Sequence, residues 1–278
     1  MIKTLKKYFK KKFYNSLLLK KVNILLKHSF ENSYLQKKNL NKNLKEFEIQ
    51  GFSQFGEDGL IRYLTDNLDI SKNVFVELGV ENYEEANTRM LLEYNWTGLV
   101  VEGNKEYCEH ILEQEYVYKN SLKCENSFIT KENINNLIKK NNIVGQIGLL
   151  SIDLDGNDYW IWNEINIIDP DIVVIEYNSR FGDNSVTIPY EPLFERGKKL
   201  HKVYYGASLK ALIKLGKKKG YSIICTNSNG NNAFFVKNSL LNEKVKASQF
   251  EQSFNIKSFK ETKDDENIDL MQFPIIDV

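Results

Sequence analysis

The feature that most constrains this chain is an apolar run that ends abruptly in acids. Residues 149–160 read Leu-Leu-Ser-Ile-Asp-Leu-Asp-Gly-Asn-Asp-Tyr-Trp, so Asp153, Asp155, Asn157 and Asp158 fall within six positions around Gly156. A short apolar run bounded by turn residues reads as a buried strand. Acids directly behind it put charge at the carboxyl edge of a sheet, where open α/β folds bind their ligands. The spacing therefore predicts a largely parallel sheet with a polar rim.

The neighbouring segments supply the rest of such a sheet. Val74–Val80 is a strand running into Gly79, a helix is expected over 84–94, and a second strand, Gly98–Asn104, carries Glu102 near its end. Strand, glycine turn, helix, strand and acid is the βαβ order of a nucleotide-type binding half. Glu102 lies 25 residues after Glu77, about where a ribose-binding acid falls. The turn after Gly79 has one glycine and carries Glu81, Glu84 and Glu85. Dinucleotide sites need G-x-G-x-x-G for close approach to a pyrophosphate, so this turn argues against NAD and for a cationic cofactor without phosphate, S-adenosylmethionine (SAM).

Further along, the pattern predicts a short strand near 117–122, a helix over 131–141, the strand 147–154, and a helix over 159–168 stopped by Pro170. It then predicts a strand over 171–178, a helix over 208–219, and a final hairpin of strands 221–226 and 233–237 joined by an Asn-rich turn. Ser53 is the expected N-cap of a helix running through Leu60 and Leu64. With 278 residues, 42% hydrophobic, the chain suits one large α/β domain. Three parts are expected: a basic helical arm over 1–50, a catalytic domain over 51–240 and a polar extension over 241–278.

The net charge of +1 conceals an asymmetry: residues 1–46 hold 13 Lys and two acids, leaving 25 basic and 35 acidic residues in the remainder. Ile2, Leu5, Phe9, Phe13, Leu18 and Val22 recur at near-helical spacing among these lysines, with a break expected near Asn15. Two readings stay open: contact of residues 1–27 with an anionic membrane surface, or a helix docked on the acidic body. Cys108, Cys124 and Cys225 have no metal or CxxC spacing and read as reduced thiols of a cytoplasmic protein. No apolar run reaches the roughly 20 residues of a membrane span. The richness in Lys and Asn suggests an AT-rich bacterial genome.

Several motifs together resemble a known group. Ser151-Ile-Asp-Leu-Asp-Gly-Asn-Asp158 resembles the K-I-D-V-E-G-x-E signature of FkbM-type methyltransferases. Ser53-Gln-Phe-Gly-Glu-Asp-Gly59, Phe75-Val-Glu-Leu-Gly-Val80, Asn87-Thr88, Trp96-Thr-Gly-Leu-Val-Val-Glu102 and Tyr205-Gly-Ala-Ser-Leu209 are similar to the same group or to a neighbouring one encoded with surface-polysaccharide genes. Ser151 stands where that family has lysine, and Glu77 where many relatives have Asp. The resemblance implies a Rossmann-like class I methyltransferase fold, a seven-stranded, mostly parallel sheet whose last strand is antiparallel. It implies SAM across the first two strand ends, with Glu77 and Gly79 at the methionine moiety, Glu102 at the ribose and Gln54 and Gly56 covering the cofactor. Asn104, following Glu102, belongs to the same expected binding set, and the loop 123–129 is expected at the adenine. The activity implied is O-methylation of a sugar or sugar-nucleotide acceptor in capsule or surface-polysaccharide synthesis.

Two catalytic schemes follow from residues two apart sharing a strand face. In one, Asp153, Glu176 and Asn178 hold Mg²⁺ or Mn²⁺ against the acceptor hydroxyl. In the other, Asp153 or His201 is the general base. Asp155 reads equally as catalytic or structural, and Asp158 as a turn former. Nucleic-acid methylation competes through the lysine-rich arm, although the acidic body and the absence of Asn-Pro-Pro-Tyr or Pro-Cys motifs weigh against it. A non-catalytic, membrane-associated binding module on the same scaffold is the third reading.

Overall fold

A computed structural model describes residues 2–40, 44–248 and 268–278. Among the described residues nine strands occur in chain order: β1 (Val74–Leu78), β2 (Thr97–Glu102), β3 (Lys123–Asn126), β4 (Gly145–Ile152), β5 (Ile168–Glu176), β6 (Val186–Thr187), β7 (Tyr221–Thr226), β8 (Asn232–Lys237) and β9 (Ile276–Asp277). Seven form one sheet, ordered β3-β2-β1-β4-β5-β8-β7. β8 alone runs antiparallel, paired with both β5 and β7. This is the expected Rossmann-like class I methyltransferase architecture. The antiparallel strand is last in sequence but lies inside the sheet, not at its edge.

Both faces of the sheet are covered, which is why its central strands are continuously apolar. Helices α5 (Ile134–Lys140), α6 (Asp158–Glu164) and α7 (Leu209–Lys219) cover one face, and α2 (Glu57–Asn67), α3 (Lys105–Leu112) and α4 (Glu115–Lys119) cover the other. Successive strand residues divide between the two layers: Val76 and Leu150 pack with Trp162 and Leu212, whereas Phe75 and Leu149 pack with Leu60 and Tyr83. Alternation across the sheet is thus preserved although most positions of the central strands are apolar.

Several boundaries differ from expectation for local reasons. The segment 117–122 is not a strand; α4 covers 115–119 and β3 starts at Lys123. Of the helix expected over 84–94 only a 3-10 helix over Arg89–Tyr94 forms; the Asn87 and Thr88 N–H groups just before it are taken by the Glu77 carboxylate. Pro170 does not stop a helix. It lies within β5 opposite Ile147, and its carbonyl accepts a hydrogen bond from the Tyr221 hydroxyl at 2.6 Å. The helix before it ends at Glu164. Gly56, not Ser53, is the N-cap of α2, while the Ser53 hydroxyl accepts from the Asp58 N–H one turn in.

Helix α1 (Ile2–Asn39) is continuous, with no break near Asn15. At 1.5 Å per residue it is about 57 Å long. Its distal half docks on the body: Phe30 and Tyr34 are buried, and the Tyr34 hydroxyl donates to Asp66 at 2.9 Å. Upstream of that contact Leu18, Ile24 and Leu25 are exposed. The chain end returns to the body: β9 pairs with β6, and Leu270 is buried. Residues 249–267, half of the expected polar extension, lie outside the described residues.

Candidate functional site

The carboxyl ends of β1, β2, β4 and β5 open onto one cleft of about 610 Å³. Glu77, Glu102, Asp153 and Glu176 reach it from these four adjacent strands, joined by Gln54 and Gly79. The loop expected to meet adenine contributes Ser127, Phe128 and Ile129 to the wall.

Glu77 is buried. Its Oε1 accepts from the Asn87 N–H at 2.9 Å, and its Oε2 accepts from the Thr88 N–H at 3.1 Å and from the Thr88 hydroxyl. Burial pushes its pKa up to about 7 against the opposing pull of these donors. Ser151 is fully buried and accepts from Asn87 Nδ2 at 3.1 Å. Glu102 clips the loop after β1: its Oε2 accepts from the Val80 and Glu81 N–H groups at 3.1 and 2.9 Å. Gly79 has φ +75°, and a Cβ there would lie 1.8 Å from the Asp153 carbonyl oxygen. The glycine is thus required by the approach of β1 to β4.

Asp153 stands at the end of β4 and Glu176 at the end of β5. Burial, then the charges of Asp155 and Asp158, hold the Asp153 carboxyl well above the usual range. Burial and then Asp153 raise Glu176 in the same direction. Two carboxylates this close in a buried site share a proton or a cation. Asp153, Asp155 and Glu176 each offer an oxygen, all within 4.8 Å of one another.

The structure sets four of the expected site residues apart from this group. Asn178 is not in this group: its Nδ2 donates to the Val203 and Tyr205 carbonyls at 2.9 and 3.1 Å, and its Oδ1 accepts from the Arg180 N–H. Residues two apart share a face only while the chain stays extended, and β5 ends at Glu176. Asp155 takes its place, held at φ 53° and ion-paired with Arg196. His201 does not line the cleft, and its Nδ1 accepts from the Val203 N–H at 3.3 Å. Asn104 does not line it either; its Oδ1 caps α3 through the Glu106 and Tyr107 N–H groups. Gly56 is likewise outside it, packed at φ +95° against the backbone of Glu48 and Ile49. Asp158 shapes the turn, accepting from the Leu154 and Gly156 N–H groups at 2.8 and 3.0 Å.

Other residues enter the cleft unannounced. Arg196 borders it, with its guanidinium 3.7 Å from the Tyr205 ring centroid and its Nε donating to the Lys202 carbonyl at 2.7 Å. Phe194 packs on Gly156, where a Cβ would come within 2.2 Å of the ring. From the Asn-rich turn, Asn227 and Asn232 donate to Glu57 Oε1 at 2.8 and 3.0 Å. The density of asparagine in that turn was the one available signal; nothing in the sequence distinguished Arg196.

The sequence matches no protein-family profile and no curated protein. Among solved structures it is similar to a SAM-dependent methyltransferase from Clostridium acetobutylicum (12% identity, TM-score 0.42, covering 76% of this chain and 98% of that one). An O-methyltransferase from Bacillus cereus in complex with S-adenosylhomocysteine gives 13% identity and a TM-score of 0.40, over 75% of this chain and 91% of that one. The magnesium protoporphyrin IX methyltransferase from Synechocystis with bound SAM gives 9% and 0.41, over 65% and 77%. These are distant likenesses of chain fold, and what the cleft does has to be read from its own residues.

Proposed function

We propose that the protein is a SAM-dependent O-methyltransferase acting on a sugar hydroxyl in bacterial capsule or surface-polysaccharide synthesis. The observation that carries this reading is the charge of the cleft: nine carboxylate side chains and one guanidinium line it among the described residues. Such a site attracts a cationic sulfonium compound and repels pyrophosphate. It disfavours nucleic acid for the same reason.

When bound, SAM supplies a methyl group on a sulfonium sulfur. Glu102 and Glu77 offer carboxylates toward the ribose and the methionine ammonium, in a cleft whose floor they already organise. Asp153 accepts the proton of the acceptor hydroxyl as the new C–O bond forms and the S–C bond breaks. Burial and the neighbouring charges of Asp155 and Asp158 keep that carboxyl basic. Positioning against these rigid strand ends supplies much of the rate.

A hard cation fits the same group. Asp153, Asp155 and Glu176 offer only oxygen, with one oxygen of each within 4.8 Å of the others. These three would hold Mg²⁺ or Mn²⁺, which would lower the acceptor's pKa. The test is calorimetric titration with SAM, followed by transfer of labelled methyl to sugars with and without Mg²⁺. Absence of both SAM binding and transfer sinks the proposal.

The arm supports a second, peripheral role. Leu18, Ile24 and Leu25 are exposed beside Lys21, in a segment rich in lysine. This suits contact with an anionic membrane surface. Most other side chains of residues 1–27 up to Lys20 lie outside the described residues, and no described helix is long and apolar enough to cross a membrane.

A further inference from the structure

Two buried acceptor atoms in the cleft have no hydrogen-bond partner, Glu176 Oε2 and Asn232 Oδ1. They belong to residues directly opposite each other across β5 and β8. Both residues are 4% exposed. Side chains so paired have Cβ atoms about 5 Å apart on one face of the sheet.

The orientation of the Asn232 amide follows from its other contact. Its Nδ2 meets Glu57 Oε1 at 3.0 Å, and Glu57 is fully buried and also takes the Asn227 amide and the Phe55 N–H. Both Glu57 oxygens act as acceptors in these contacts, so the Asn232 nitrogen faces Glu57 and the oxygen is left to the cleft. The Asn-rich turn thereby fixes the hand of one amide. A neighbouring acceptor on β5 completes a pair that asks for two donors, and a buried acceptor left unmatched is costly.

The cleft offers an anion nothing in return. Arg196, its one cationic side chain among the described residues, is engaged by Asp155, by the Lys202 carbonyl and by the face of Tyr205.

We propose that Glu176 and Asn232 recognise the methyl acceptor by two neighbouring hydrogen-bond donors, a vicinal diol of an unphosphorylated sugar. This rests on the methyltransferase reading and narrows it: a sugar nucleotide, whose diphosphate would enter a field of carboxylates, is excluded as the acceptor. One hydroxyl donates to Glu176 Oε2 and its neighbour to Asn232 Oδ1, which leaves an adjacent hydroxyl for Asp153.

The test uses the full-length protein with S-adenosylhomocysteine present, and a panel of methyl hexopyranosides, their monodeoxy analogues and their 6-phosphates. Binding is read by saturation-transfer NMR and calorimetry. At least one unphosphorylated glycoside is expected to bind, its 6-phosphate at least tenfold more weakly, and the deoxy analogue lacking one diol hydroxyl at least tenfold more weakly. Asn232→Leu should weaken the parent glycoside at least tenfold and leave the deoxy analogue and SAM within twofold. The parent protein's deoxy series reads the same recognition without any substitution, should the variant fail to fold. Phosphorylated sugars binding as tightly as unphosphorylated ones, equal affinity across the deoxy series, or no glycoside binding at all overturns the proposal. Loss of the methyltransferase reading shows separately, as glycoside binding without SAM binding.

Discussion

Gly79 and the Asp153 carbonyl are in such close contact that a β-carbon on the glycine would lie 1.8 Å from the oxygen. The residue that turns the chain after β1 therefore also sets the distance between the cofactor end of the cleft and its proposed base. Gly79→Ala adds a left-handed strain to a backbone clash, and a loss of about 3 kcal/mol or more is expected in urea denaturation. Gly145→Ala is the control. Its φ is +70° but nothing lies within 4 Å of the added methyl, so about 1 kcal/mol is expected. Equal losses at the two sites would show that the approach of Gly79 to Asp153 has no energetic weight.

Asp153→Asn removes the proposed proton acceptor with little change in volume. Turnover should fall by about a hundredfold or more, while SAM affinity by calorimetry stays near that of the parent. A loss of SAM affinity instead would move Asp153 from catalysis to cofactor binding.

Glu77 gives the molecule a pH signature. Its unfolded-state pKa is near 4.5 and its folded-state value about 7. The unfolded chain releases this proton first, so the stability the group contributes is complete below pH 4.5 and is lost as pH rises to 7. The difference is on the order of 3 kcal/mol. In denaturation curves at a series of pH values, Glu77→Gln should flatten this part of the profile relative to the parent. Bound SAM should flatten it too, because a cationic ligand favours the ionised carboxylate. Parallel profiles for parent and variant would contradict the burial-driven shift.

Chelation tests the cation. If Asp153, Asp155 and Glu176 hold Mg²⁺ or Mn²⁺, exhaustive EDTA treatment should reduce turnover to about a hundredth, with recovery on adding either ion. Asp155→Asn should raise the concentration of ion needed for half-maximal recovery. Full activity after chelation rules the metal out and leaves Asp153 as the base.

Deleting residues 1–26 keeps Phe30 and Tyr34 in their packed positions and removes the exposed Leu18, Ile24 and Leu25. Sedimentation with vesicles containing anionic lipid should fall to background, with SAM binding unchanged. Retained sedimentation would assign membrane contact to the body or to none of the molecule.

The sheet was legible because its strands are buried on both faces, so that runs such as Ile172 to Ile175 stand out without any periodicity. The strand-end acids were legible for the opposite reason: Glu102, Asp153 and Glu176 interrupt apolar runs at one edge. What lay hidden depends on contacts distant in sequence. Asn178 read as a ligand because the strand was extended two residues too far, and its amide serves the loop 203–205 instead. Asn232 read only as a turn residue, since its meeting with Glu57 joins segments 175 residues apart. His201 and Arg196 occupy the same irregular loop, where no repeat tells which side chain turns inward.

The position of β8 has a bearing on how the molecule is made. This strand lies inside the sheet, between β5 and the edge strand β7, yet it is the last of the seven to leave the ribosome. Until then the nine-residue β5 presents an open edge, a template for pairing with other chains. The nascent protein must shield that edge from the completion of β5 at residue 176 until β8 begins at residue 232, and it gains Asn232 only as the edge closes. A chain cut short before the hairpin would thus be both prone to aggregate and blind to its substrate.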